Sequence, residues 1–97
     1  EEINKYMIFK TNQGTDVHLR YMKIKDIYPN TGVIVYGTVV DNPKDMVGGV
    51  VVLELNDGTG KINCVAYEPT KDFRNLIRKL RKGDVVGVYG TVREEPL

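Results

Sequence analysis

Hydrophobic and polar positions alternate most cleanly over residues 50–67. Val51, Leu53 and Leu55 share one side of an extended segment while Val50, Val52 and Glu54 share the other, and the single carboxylate marks the wet side. After Asn56-Asp57-Gly58-Thr59-Gly60 the alternation resumes over Lys61 to Tyr67, with Ile62, Cys64 and Ala66 expected inward and Lys61, Asn63, Val65 and Tyr67 outward. Asp-Gly supplies the positive φ of a tight hairpin, so two antiparallel strands are predicted to meet there. Gly48-Gly49 gives the first of them the permissive backbone of a sharp turn, preceded by a loop over Asn42-Pro43-Lys44-Asp45.

The same reading predicts an earlier strand from Val33 to about Asp41. Val33, Val35 and Val39 lie on one face of it and Ile34, Tyr36 and Thr38 on the other, with Gly37 free to bend. Downstream, Thr70 is placed as a helix N-cap behind Pro69, and Phe73, Leu76, Ile77 and Leu80 fall on one stripe of the helix that follows. Gly83 is the expected left-handed stop. A fourth barrel strand spans Asp84 to Arg93, with Val86 and Val88 inward, Tyr89 outward and Gly90 as a second bend. Upstream of Pro29-Asn30-Thr31-Gly32 the texture turns polar and charged. There Tyr6-Met7-Ile8-Phe9 is a short strand candidate, Leu19, Tyr21, Ile24 and Ile27 permit another within His18 to Tyr28, and residues 11–16 form a loop.

Strand, hairpin, strand, helix, strand is the layout of a mainly β domain, a five-stranded Greek-key barrel of the OB type with one helix between its third and fourth strands. The pattern divides the chain into a leader over residues 1–28 and a barrel over 29–97. One more strand is expected after Leu97, because a barrel with an unpaired edge is a liability. The chain therefore reads as part of a longer protein with its last strand truncated, and the leader is available to cover part of the gap.

Composition narrows the function classes. Ninety-seven residues fit one domain, and 41% apolar with 28% charged residues fit an ordinary globular chain. No apolar run approaches the roughly 18 residues of a membrane span and no signal-like segment opens the chain, so no membrane partner is expected. A lone Cys64 excludes an internal disulfide. Net charge is only +1, yet Lys71 to Lys82 holds six basic residues against Asp72 alone. Basic residues on the wet face of an amphipathic helix more often serve solvation than contact with RNA.

Enzyme chemistry finds little support within these residues. Gly58-Thr59-Gly60-Lys61 lacks the spacing of a phosphate loop and leads into a strand. Cys64 points inward among apolar neighbours, and His18 beside Asp16 has no partner histidine or cysteine cluster, so neither a catalytic nor a metal site is expected. A binding surface is the better reading. Tyr36, Thr38, Lys61, Asn63 and Tyr67 are expected on one outer face, offering rings to bases, a hydroxyl and an amide to sugar or base edges, and a cation to phosphate. Lys44 and Arg93 would flank it. The same tyrosines and threonines also suit any pleated surface.

Gly48-Gly49 through Gly60, with Gly83-Asp84 through Val92, resembles the anticodon-binding OB domain of aspartyl-type aminoacyl-tRNA synthetases and related tRNA-binding barrels. Val52 stands where those barrels commonly expose an aromatic, leaving Tyr36 and Tyr67 as the aromatic neighbours. Residues 11–18 and Ala66-Tyr67-Glu68-Pro69-Thr70-Lys71-Asp72-Phe73-Arg74 resemble the archaeal agmatinylcytidine synthetase family that acts on the minor isoleucine tRNA. That resemblance implies upstream ATP-dependent and ferredoxin-like domains, a downstream zinc ribbon, and a cytoplasmic enzyme that joins agmatine to the wobble cytidine of that tRNA. ATP belongs to the parent enzyme and no cofactor to these residues; the Thr11 to His18 stretch is more readily a polar interdomain loop than a part of the upstream site where Asp16 or His18 could act. Three function classes fit: a tRNA-binding module of such an enzyme, a general single-stranded DNA-binding barrel, and a scaffold barrel that only orders its neighbours.

Overall fold

A computed structural model describes residues 3–9 and 20–96. The alternating segments form the expected sheet: β3 (Gly32–Val39), β5 (Val50–Asn56) and β6 (Lys61–Tyr67), with β7 (Val85–Pro96) after the helix α1 (Lys71–Arg78). Burial follows parity. Val33, Val35, Val39, Val51, Leu53, Leu55, Ile62, Cys64 and Ala66 are buried, and Tyr36, Thr38, Lys61, Asn63 and Tyr67 are exposed. Inward side chains of successive strands thus build the main core, joined by Val88 and Val92, while Val51 and Ala66 belong to a second, smaller cluster.

Closure comes from the segment read as leader. β1 (Ile3–Phe9) lies between β6 and β7, parallel to the first over Tyr6–Ile8 and antiparallel to the second along its whole length. With β3 paired to both β5 and β7, the ring β3–β7–β1–β6–β5 is continuous. The gap that the pattern assigns to a strand beyond Leu97 is therefore filled from the N-terminal side, and the wall reaches past the expected start at residue 29. Met7, fully buried, supplies the inward side chain of this strand, and both of its edges find hydrogen-bonding partners that would otherwise stay open.

Other boundaries shift for local reasons. Of the expected strand over His18 to Tyr28, His18 and Leu19 lie outside the described residues, and the rest gives β2 (Arg20–Tyr21) and a 3₁₀ turn over Ile24–Asp26, whose Ile24 and nearby Ile27 enter the core. The loop before Gly48 contains a short strand, β4 (Lys44–Met46), paired with β5; Gly48 and Gly49, at φ 86° and 79°, make the turn between them. The helix ends at Arg78, and Leu76, expected on its buried stripe, is 60% exposed. Two turns suffice to plug the barrel end: Ile77 packs with Val51 and Ala66, and the Phe73 ring meets Phe9 edge-on at 5.6 Å. Thr70 caps the helix as expected, its hydroxyl accepting from the Phe73 amide at 3.2 Å. Gly83 is left-handed at φ 95°, but it sits beyond the helix and donates its amide to the Val39 carbonyl, turning the chain into β7.

Candidate nucleic-acid interface

Strand parity sends Tyr36, Thr38 and Lys61 to the outer wall, and register brings two of them into line. Thr38 pairs with Asn56 and with Val85, and Asn56 pairs with Lys61, so one row crosses four strands. Tyr36 lies one step along β3 and covers Gly87 on β7, where an added Cβ would fall 2.6 Å from its ring. These residues line an open cleft of about 570 Å³ with Val40, Asp57 and Gly58 at its end. A half-exposed ring, a hydroxyl, an amide and an ammonium converge there, the set that takes a base, a sugar edge and a phosphate.

The remaining expected residues divide between other parts of the wall. Lys44 and Asn63 share a neighbouring cleft of about 350 Å³ with Val52, Glu54, Asp41, Asn42 and Lys82. Val52 is its apolar floor and the charges there are mixed. Tyr67 stands at the far end of β6, about 20 Å along the strand from Lys61, and beside Tyr6. Partial burial first, then the Tyr6 hydroxyl and the Glu95 carboxylate, push the Tyr67 phenol above its ordinary value, so at neutral pH it keeps its proton. Arg93 sits on β7 opposite Tyr6 and donates to Asn30 Oδ1 at 3.3 Å. All seven lie outside the core: Tyr36, Thr38 and Lys61 line one cleft, Lys44 and Asn63 the next, and Tyr67 and Arg93 line neither.

Sequence reasoning passes over Tyr21 as a binding residue. Its ring is 58% exposed and 5.5 Å from that of Tyr36, tilted by 47°. The local pattern marks Asp57 only as a turn residue; its carboxylate in fact accepts from the Ile24 amide at 2.8 Å and from the Thr59 amide and hydroxyl at 2.8 and 2.6 Å. Parity alone cannot reveal either, since both depend on residues 20–27 folding back against the hairpin tip.

The family model described as OB-fold nucleic acid binding domain matches residues 33–96. The chain belongs to that family. Among relatives of this OB-fold domain is the 2-agmatinylcytidine synthetase TiaS of Methanocaldococcus jannaschii, whose name assigns it to an isoleucine tRNA. It is 68% identical over the whole chain, which spans 23% of that protein. The synthetase of the same name from Methanococcus voltae is 57% identical over 99% of the chain, which covers 19% of it. A solved complex of TiaS with that isoleucine tRNA and ATP superposes with a TM-score of 0.68 at 41% identity, over 81% of this chain and 19% of that one. The chain thus spans about a fifth to a quarter of the relatives it matches.

In this OB-fold domain the basic helix is largely committed to its own scaffold. Arg78 donates twice to Asp45 Oδ2, at 2.9 and 3.2 Å, and Arg74 lies 3.6 Å from the same carboxylate while bonding the Gly49 carbonyl. These contacts dock the helix on the β4–β5 hairpin. Among the described residues no cluster of His, Cys, Asp and Glu suits a metal ion, and no helix is long and apolar enough to cross a membrane. Asp16 and His18 lie outside the described residues. Burial pushes the Cys64 thiol up to about 12, which removes it as a nucleophile. At pH 8 the folded protein is expected to resist iodoacetamide at Cys64 and to react with it in denaturant, as mass spectrometry would show; rapid native labelling would contradict the core position.

Proposed function

We propose that this chain is the RNA-binding barrel of a tRNA-modifying synthetase that uses ATP to attach agmatine to the wobble cytidine of a minor isoleucine tRNA. Similarity along the whole chain to proteins named for that activity supports the parent enzyme. For binding, the carrying observation is the outer-wall cleft in which Tyr36, Thr38, Asn56 and Lys61 converge. Residues 1–28 then form the passage from an upstream domain, lending β1 to the barrel of 29–97, and a further domain follows. The protein works in the cytoplasm.

ATP is assigned to the parent enzyme and not to this barrel. Gly58-Thr59-Gly60-Lys61 is a hairpin turn whose amides are engaged internally, Gly58 to Asn56 Oδ1 and Thr59 to Asp57 Oδ1, so no free nest of N–H groups faces a phosphate. Nucleotide binding and the chemical step belong to the rest of the parent protein. This domain contributes affinity and orientation: Tyr36 stacks a base, Lys61 neutralises a phosphate, and Lys44, Asn63, Tyr67 and Arg93 extend the contact over neighbouring wall.

Equilibrium binding of the full-length protein to a transcript of the minor isoleucine tRNA tests this reading. Affinity is expected to fall with salt, Lys61→Ala to flatten the log–log slope by roughly 0.7, and Tyr36→Ala to weaken binding about tenfold. Equal affinity for unrelated single strands of DNA would favour a general strand-binding barrel. Surface variants that left affinity intact but loosened domain assembly would favour a scaffold.

A further inference from the structure

The proposed RNA-binding cleft ends at an aromatic pair, of which only Tyr36 belongs to the residues that match the family model. Tyr21 comes from the strand before it. We infer that Tyr21 completes a two-ring platform with Tyr36 that holds an unpaired base of the bound RNA, an inference that rests on the RNA-binding reading above.

Both rings are more than half exposed although they lie on the wall of a closed barrel, and their centroids are 5.5 Å apart. That spacing with a 47° tilt leaves a broad, bent aromatic surface. Its position is fixed from both sides. Beneath Tyr36 the missing side chain of Gly87 lets the ring lie close to β7. Tyr21 is held by main-chain bonds around it: β2 pairs in parallel with β3, and the Met22 amide donates to the Ile34 carbonyl at 3.2 Å. Three residues on, Asp57 takes the Ile24 amide and Thr59 Oγ1 takes the Lys25 amide at 3.1 Å, while the Ile24 side chain lies against Gly60. The backbone that carries both rings is thus ordered before a base arrives, which favours binding.

Charge around the pair suits RNA. Arg20, Lys23 and Lys25 are exposed on the same short segment, against Asp26, and Lys61 lines the adjoining cleft. A base on the rings would leave its flanking phosphates within the field of these cations. Every base presents a π face, so the platform confers affinity with little sequence preference. The hydroxyls are not needed for stacking, and phenylalanine is expected to replace Tyr21.

The test measures binding of a transcript of the minor isoleucine tRNA to the full-length protein at fixed salt, with thermal melting of each variant as the control for folding. Tyr21→Leu is expected to weaken binding about tenfold without lowering the melting temperature, and Tyr21→Phe to bind within about twofold of wild type. Combined with Tyr36→Ala, Tyr21→Leu is expected to cost less than the product of the separate losses, because the two rings serve one base. Wild-type affinity for Tyr21→Leu, with Tyr36→Ala still impaired, would overturn the platform and leave the RNA-binding reading standing. If Tyr36→Ala and Lys61→Ala bound normally as well, that reading would fall too.

Discussion

Gly90→Ala is expected to destabilise the barrel by about 1–3 kcal/mol, and Gly90→Val by more, with the loss concentrated in β1. At Gly90 the long strand β7 passes from one partner to the other: it is the last residue but one paired with β3 and the first paired with β1, opposite Phe9. An added Cβ would lie 2.5 Å from the Ile8 carbonyl oxygen and 3.1 Å from the Met7 methyl. The nearest obstacle is backbone, so no rotamer change relieves it and β1 must move away from β7. Gly87 offers the contrast within the same strand. There the obstacle is the exposed Tyr36 ring, which can swing aside, so Gly87→Ala is expected to leave stability within about 1 kcal/mol while displacing Tyr36 and weakening RNA binding. Urea unfolding would rank the two, and amide exchange across β1 would show where Gly90→Ala opens the wall. Equal midpoints for both variants would argue against the closing role of β1.

How far the chain can be read follows from the range of the interactions involved. Alternation over residues 50–55 and 61–67 is a local signal tied to the two-residue period of the pleat, and it predicts the inward and outward side chains of β5 and β6 as the structure has them. The Thr70 cap is equally local. β1 is visible only as four apolar residues without alternation, because its place depends on a parallel pairing with a strand more than fifty residues away. Hence the pattern predicts closure from beyond Leu97 with the leader covering only part of the gap, whereas β1 bridges β6 and β7 by itself. Leu76 shows the converse limit: helical periodicity predicts a stripe, but the barrel mouth accommodates only Ile77 fully, with Phe73 and Leu80 at its rim. For the site, parity tells which residues face outward but not which stand together. Lys61 and Tyr67 share a face of β6 and lie six residues apart, so they serve different patches of wall.

Asp57→Ala is expected to lose stability and affinity in one step, because this carboxylate ties the segment carrying Tyr21 to the tip of the β5–β6 hairpin. Removing it strips acceptors from the Ile24 amide and from both donors of Thr59, at a cost of about 1–3 kcal/mol. The site is only half-buried, which lets water satisfy some of these donors and places the loss toward the lower end. Burial works to raise the Asp57 pKa, but the Thr59 hydroxyl and the amides of Ile24, Thr59 and Gly60 together outweigh it and hold the carboxyl below its ordinary 3.8. A carboxyl whose pKa is lower in the folded protein stabilises fully above the unfolded value and ceases to do so as pH falls through the folded one. The advantage of wild type over Asp57→Ala should therefore be complete at pH 7 and shrink below about pH 3.8. Urea midpoints at neutral and acid pH would measure it, and a gap unchanged in acid would mean that packing of Ile24 against Gly60, not the carboxylate, holds the segment. Freed from this anchor, Tyr21 loses its fixed distance from Tyr36, so tRNA affinity in Asp57→Ala is expected to fall about as far as in Tyr21→Leu. Asp57→Asn, which keeps an acceptor oxygen, should retain more of both.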